Sequence, residues 1–450
     1  MCTSILKHLE VENDRLYFDG VDLLQIAEDY KTPVFIFSES KIRENARLIL
    51  NVFKQEYGDC YIHYALKANS ILSILRILKS EQLRCEVSSG GELYKALKAG
   101  FKPEDIVFNG PGKTLEELKY AVEVGINCIN VDSLYELDLL ANLAEKMKTR
   151  VDVSIRVTPE VSAPTIKTGL SKTKFGVEID QVVKMIRHAL EKRNLNIKGI
   201  HTHIGSQVTD IASWSKASMV VVRLANQVYE DLGLELDHIN MGGGLPEDYT
   251  ETIIEKDRDL PSYLWGSIDV SEIAKAVSKN FKELKYNTKL YIEPGRKIVA
   301  DACLLLTRVV NFKERSFGEK WLIVDAGFNI LPSMRILRWY YPVINISRIN
   351  ERHESPFRIG GPLCDGEDVY HDVEGEELGN PRLPKYRRLP INSQPGDVLA
   401  VLHTGAYGPE VTMNFNGMLR PAYLMIFQNG VVKVIRRRET LNDLISYEEV

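Results

Sequence analysis

From about residue 31 to residue 300 the chain alternates short, β-rich apolar runs with longer amphipathic segments, a pattern that few architectures accept. TPVFIF precedes SKIRENARLILNVFKQ, CYIHYALK precedes SILSILRILKSEQ, and INVDS precedes LYELDLLANLAEKMK. VDVSIRV and IKGIHTHIG follow, the latter leading into a helix through ASMVVVRLANQVYEDLG. Strands of about four to six residues separated by helices of about 10 to 15 indicate repeated βα units and a parallel sheet. About eight such units fit a closed (β/α)8 TIM barrel better than an open doubly wound sheet. After about residue 304 the pattern turns β-rich, in CLLLTRVVNF, KWLIVDAG, GDVLAVLHTG and AYLMIFQNGVVKVIRR, with PG, NG and GG turn signals. The expected fold is therefore α/β, with a barrel over 31–303 and a C-terminal antiparallel β domain over 304–450. Segment 1–30, through the strand-like RLYFDGVDL, is expected to join the β domain. The acidic stretch Glu367–Glu377 and the Pro/Arg-rich NPRLPKYRRLP read as solvated loops.

Composition then removes whole classes of function. With 450 residues, 44% of them hydrophobic, the chain can bury a large core and divide into two domains. A formal net charge of -5, with Lys and Arg scattered, supplies no basic field, so nucleic acid is not an expected partner. No apolar run approaches the roughly 20 residues that span a bilayer. The N-terminus becomes acidic before a signal-like stretch develops, so no membrane association and a cytoplasmic location are expected. The six cysteines, at 2, 60, 85, 128, 303 and 364, form no CxxC pair and no zinc-like spacing, which argues against a disulfide framework or a metal site. Five read as small buried hydrophobes or inert thiols. Cys364 differs, because its neighbours in GPLCDGED are glycine, proline and acidic residues.

Barrel active sites collect where strands end and turn toward helices. YALKAN puts Lys67 at such a place, where desolvation in the barrel interior would lower the amine pKa and make it a nucleophile toward an aldehyde. HTHIGSQ carries His201 and His203 after the strand IKGI, although a strand-end histidine is more often structural than catalytic. MGGGLP offers Gly242, Gly243 and Gly244, whose unobstructed backbone amides could approach a phosphate. YIEPGR ends a strand on Glu293, with Gly295 and Arg296 after it. A buried glutamate there needs a cationic or hydrogen-bonding partner, either a protonated ring nitrogen or simply Arg296. In the β region, GPLCDGED and TGAYG join glycine turns to Cys364 and Tyr407, and Tyr407 could present its hydroxyl to a phosphate.

In order, YALKAN, VSSGGEL, VDSLYEL, HIGSQ, GGG, EPGR, VDAG, GPLCDGED and GAY resemble the fold-type III decarboxylases dependent on pyridoxal 5'-phosphate (PLP), over nearly the whole chain. These are the ornithine, diaminopimelate and arginine decarboxylases, related by their barrel to alanine racemase. The resemblance implies PLP as cofactor and a barrel over 31–303 that binds it. It implies Lys67 as the Schiff-base lysine, His203 stacked on the pyridine ring, and Glu293 paired with the ring nitrogen. Ser206, Gly242, Gly243, Gly244, Gly295, Arg296 and Tyr407 resemble contacts to the phosphate and the substrate carboxylate. Cys364 and Asp365 match a pair that this family donates across a homodimer interface, with Cys364 as proton donor and Asp365 as a partner for a distal amine.

Much of the chain resembles the diaminopimelate decarboxylase branch, with two departures. Where that branch carries an RPALY-like stretch whose arginine grips a distal carboxylate, this chain reads ILPSMRILRWYYPV, with Arg335 or Arg338 as substitutes. Asp365 stands where the branch has Glu. Loss of the carboxylate grip with a retained amine-binding acid favours a diamino acid such as ornithine or lysine, and GPLCDGED, GGGLP, INVDSLYEL and WYYPVINISR together resemble the D-ornithine/D-lysine subgroup. That implies release of putrescine or cadaverine, with meso-diaminopimelate decarboxylation to L-lysine as the alternative. A racemase would share the barrel, but Glu293 and Cys364 favour decarboxylation, and a silent homologue would be expected to lose Lys67 or Cys364.

Overall fold

The computed structural model describes residues 3–6, 8–161, 166–250, 260, 262–371 and 383–449. The chain divides into two compact units, one of residues 43–246 and 266–297 and one of residues 1–42, 247–265 and 298–450.

The first unit is the barrel. Its eight strands are Cys60–Ala65, Arg84–Val87, Ile106–Phe108, Cys128–Val131, Val151–Thr158, Leu195–His201, His238–Asn240 and Lys289–Ile292. All neighbours pair in parallel, and the circle closes where Leu290 pairs with Cys60 and Val153 with Ile129. Helices between them bury one stripe each: Ile179–Leu190 buries Val182, Met185, Ile186 and Ala189, the i, i+3, i+4, i+7 spacing of a single helical face. Val182, Met185 and Ile186 each contribute about 1.5–3 kcal/mol. Helix starts are fixed by side-chain caps at Ser89, Thr114 and Ser133, and Gly100, Gly125 and Gly233 end their helices in the left-handed conformation. The lumen is unusual. Barrel interiors are normally filled by branched apolar residues, yet here His63, Glu86, Asn109, Asn130, Ser154, Arg156, His201, His238, Asn240 and Glu293 are all buried.

The second unit is built on the long strand Cys303–Glu314, which pairs antiparallel with Val34–Ser38, Val398–Val401 and Lys320–Val324. The sheet is largely antiparallel, with two parallel pairs, Val34–Ser38 with Ala422–Ile426 and Lys320–Val324 with Ser355–Gly360. The N-terminal strands form a sheet of their own. Their Leu9, Leu16 and Phe18 pack in one core with Ile36, Leu304, Leu306, Ile344 and Leu424.

Two expectations need correction. TPVFIF has the look of a first barrel strand, but Val34–Ser38 lies in the sheet of the second unit, so this unit takes residues up to 42 rather than ending at 30. NPRLPKYRRLP is not all loop: Arg387–Leu389 is a strand paired with Ser355–Phe357. Residues 372–382, which include most of the acidic stretch, lie outside the described residues.

Candidate active site

In the barrel unit the site forms where strands end. Lys67 sits in the single turn Leu66–Ala68 after the first strand, and its Nζ lies 3.1 Å from Oε2 of Glu86 on the second. Glu86 is fully buried and also accepts from Ser88 Oγ at 2.8 Å, whereas the Lys67 side chain is 39% exposed. The amine is therefore held by a carboxylate at the edge of the lumen, not stripped of solvent as the sequence suggested. Gly295 packs against this turn: a Cβ there would lie 2.8 Å from Ala68 Cβ and 3.4 Å from the Ala65 carbonyl oxygen. The Ala65 N–H donates to the Pro294 carbonyl at 3.0 Å, so EPGR and YALK are tied together. In this structure Gly295 serves close approach.

Glu293 ends the eighth strand with only 3% of its surface exposed. Its Oε1 accepts from Asn240 Nδ2 at 2.7 Å, and its Oε2 from Asn109 Nδ2 at 2.9 Å and His201 Nε2 at 3.3 Å. Burial pushes this carboxyl up, but His201, the Lys67 ammonium and the Asn240 amide together outweigh it and hold the group below the usual carboxylate range. Arg296 is not its partner; Arg296 Nη2 donates to Ser206 Oγ at 3.2 Å. An ionised carboxylate offers about four lone-pair positions. Among the described residues three are filled, so one on Oε1 remains open to an N–H or a cation.

The glycine run behaves differently from expectation. The Gly242 N–H donates to Asn240 Oδ1 at 2.9 Å and the Gly243 N–H to His203 Nδ1 at 3.0 Å. Two of the three amides are therefore spent inside the protein, and among the described residues only the Gly244 N–H is left to meet a ligand. Glycine is required here for proximity. A Cβ would lie 2.4 Å from the Thr202 carbonyl oxygen at Gly242, 2.1 Å from the Glu293 carbonyl oxygen at Gly243, and 2.5 Å from the Gly205 carbonyl oxygen at Gly244. Gly242 and Gly244 also have φ of +68° and +110°.

His203 is partly exposed. Burial, and next the Lys67 ammonium, hold its imidazole well below the ordinary range. The geometry demands the same state independently, since a ring nitrogen that accepts the Gly243 N–H carries no proton. His203 is thus neutral, with its proton on Nε2.

Sequence reasoning missed Glu86, Asn109, Asn130, Arg156 and Asn240. Asn130 Nδ2 donates to Asn109 Oδ1, and buried Arg156 lies 3.7 Å from Asp132, its guanidinium held below its ordinary range by burial. A signal existed: IVFN, CIN and HIN each carry an asparagine at or beside the end of a strand.

The second unit holds the other candidates. Cys364 is exposed, and its N–H donates to Asn416 Oδ1 at 2.8 Å. Cys60, Cys85, Cys128 and Cys303 are buried; Cys2 lies outside the described residues. Asp365 Oδ1 accepts from the Glu367 N–H at 2.8 Å, which closes the loop locally, and Glu367 pairs with the Arg335 guanidinium. Arg338 has φ of +51°, and its carbonyl accepts from Tyr263 at 3.0 Å. Buried Asp368 accepts from the Phe328 and Leu363 N–H groups, both at 2.8 Å, and fills the space left by Gly327 and Gly361, which explains why VDAG and GPLCDGED occur together. Tyr407 is partly exposed, with φ of +56°.

The barrel cluster fits PLP. It presents a buried, ionised carboxylate with one acceptor position open among the described residues, a close-packed glycine run with one amide left over, a paired lysine and a neutral histidine.

Comparison with known proteins agrees. Residues 40–300 match the family described as pyridoxal-dependent decarboxylase, pyridoxal binding domain. The diaminopimelate decarboxylase of Methanocaldococcus jannaschii is 35% identical over 98% of this chain and 97% of its own length. That of Aquifex aeolicus is 35% identical over 97% and 96%. A crystal structure of the M. jannaschii enzyme with L-lysine superposes with a TM-score of 0.86 at 32% identity, covering 100% of this chain and 99% of that one. The lysine/ornithine decarboxylase of Vibrio vulnificus, complexed with putrescine, has a TM-score of 0.74 at 24% identity, covering 91% and 98%, a likeness of fold alone.

Proposed function

Since the chain belongs to the pyridoxal-dependent decarboxylases, and so removes a carboxyl group from a diamino acid with PLP as cofactor, we propose that its substrate is meso-diaminopimelate and its product L-lysine. The observation that carries this reading is the full-length identity, 35% over 98% of the chain, to an enzyme named for that substrate. The D-ornithine/D-lysine reading rested on two departures and a resemblance of short segments, and the V. vulnificus enzyme, at 24% identity, shares the fold alone.

Bound in the barrel, PLP would supply an electron sink for the bond between the α-carbon and its carboxylate. The protein's own residues do the rest. Lys67 must shed a proton before its amine can react, and the Glu86 carboxylate 3.1 Å away is placed to take it. Glu293 Oε1 would hold the ring nitrogen as a proton acceptor. Neutral His203 adds no positive charge against the ring and keeps Nε2–H as a donor. Arg296, Ser206 and the Gly244 N–H offer donors to anionic groups. The α-carbon loses CO2 and gains a proton, which we assign to the Cys364 thiol of a second copy of the chain. Asp365 would meet the distal ammonium, and Tyr407 the phosphate or the substrate carboxylate.

The distal carboxylate falls to Arg335 rather than Arg338, because the Arg335 guanidinium already lies against Glu367 in the Cys364 loop. A charge-assisted hydrogen bond of about 1.5–3 kcal/mol makes the expected loss in kcat/KM for diaminopimelate about 10- to 150-fold in Arg335→Ala. A change within twofold would place the grip elsewhere. The substrate itself is tested by CO2 release from meso-diaminopimelate and from D- and L-ornithine and D- and L-lysine. Efficient turnover of diaminopimelate with formation of lysine is expected. Turnover of D-lysine or D-ornithine with diaminopimelate ignored would overturn the reading.

A further inference from the structure

Asn240 joins the two ends of the barrel cluster. Its Oδ1 accepts the Gly242 N–H at 2.9 Å, and its Nδ2 donates to Glu293 Oε1 at 2.7 Å. The amide orientation is fixed by chemistry: Gly242 N–H can only donate and an ionised carboxylate can only accept, so oxygen must face the glycine and nitrogen the glutamate. Glu293 returns the connection through its own N–H, which donates to the Gly242 carbonyl at 2.8 Å. The result is a closed ring of hydrogen bonds between seventh-strand end, glycine run and eighth-strand end. Asn240 is itself fully buried.

Oε2 of Glu293 is saturated by Asn109 and His201, whereas among the described residues Oε1 has Asn240 as its one donor. From this arrangement we infer that Asn240 is a positioning residue: it aims Oε1 at the ring nitrogen of the bound cofactor and keeps that oxygen ionised. The inference rests on the reading of the barrel cluster as a PLP site. It goes beyond that reading by assigning which carboxylate oxygen receives the nitrogen and which side chain sets its state.

The test uses Asn240→Asp, which has nearly the same shape. Two carboxylates in one site share a proton, with one pKa strongly raised. At low pH the protonated aspartic acid can donate to Oε1 as the amide did. As pH rises that proton is lost and two anions face one another. The affinity of the cofactor-depleted full chain is measured for PLP and for pyridoxal, which lacks the phosphate, across mildly acidic to mildly alkaline pH. Asn240→Asp is expected to approach wild-type affinity at the acidic end. At the alkaline end it should lose about tenfold or more for both ligands, with the visible band of the holoenzyme titrating in step and the wild type showing no such transition. Should Asn240→Asp not fold, Asn240→Ser, which cannot span both partners, should weaken PLP and pyridoxal by the same factor. Loss for PLP but not for pyridoxal would mean that Asn240 acts on the phosphate end alone, and an affinity equal to wild type at every pH would mean that it only fills the lumen. Either result overturns the inference. Failure of the wild type to bind PLP would instead remove the cofactor reading beneath it.

Discussion

Lys67→Ala is expected to lose the visible absorbance of bound cofactor and to lower turnover by more than about 10³-fold, because covalent capture and proton transfer at one amine vanish together. Lys113, a buried lysine of the barrel, is committed to Glu136 at 2.6 Å, the Gly110 carbonyl at 2.6 Å and the Asn130 carbonyl at 3.0 Å. The variant also leaves Glu86 buried without its ammonium, so its acidic group should take up a proton and the fold should survive. Circular dichroism and a thermal melt check that the protein is intact, and absorbance and CO2 release check the loss. A variant that keeps both the absorbance and normal turnover would move the covalent attachment to another residue.

The second large effect is a recovery. Lys67→Ala and Cys364→Ala should each be nearly inactive alone. If Lys67 of one chain works with Cys364 of another, a mixed dimer contains one site with both residues intact and one with neither. Random exchange makes half of all dimers mixed, and each has half its sites alive, so activity should return to about a quarter of wild type. The exposure of Cys364 on its own chain is consistent with a thiol completed by a second copy. Exchange demonstrated by mass, with no return of activity, would place both residues in one chain's site.

The barrel was legible because its strands and helices announce themselves by period, and Lys67 and Glu293 stood out because each follows a strand end, whereas His203 was singled out only by resemblance to a family. Val34–Ser38 was misplaced for a physical reason. Five consecutive buried residues followed by the helix Glu39–Glu56 look like any βα unit. What assigns the strand is its pairing with Cys303–Glu314 and Ala422–Ile426, more than 250 residues away, and periodicity carries no information about a partner. The glycine run illustrates a different limit. Its need for glycine could be read from the sequence, but not whether the need was for free amides or for close approach. That answer depends on Asn240, two residues earlier, and on His203, after the neighbouring strand, taking up the Gly242 and Gly243 amides. The polar lumen stayed hidden because single asparagines on strands of three or four residues are indistinguishable from loop residues until the barrel closes around them.

Glu293, held ionised by Asn109, Asn240 and His201, is assigned to take the ring nitrogen of PLP. Nitrogen NMR of holoenzyme reconstituted with PLP labelled at the ring nitrogen tests this directly. A protonated nitrogen is expected in the wild type. In Glu293→Gln, which keeps the shape but removes the charge, the proton should be lost and decarboxylation slowed, with cofactor still bound. An unprotonated nitrogen in the wild type, or a protonated one unchanged in Glu293→Gln, would contradict the claim.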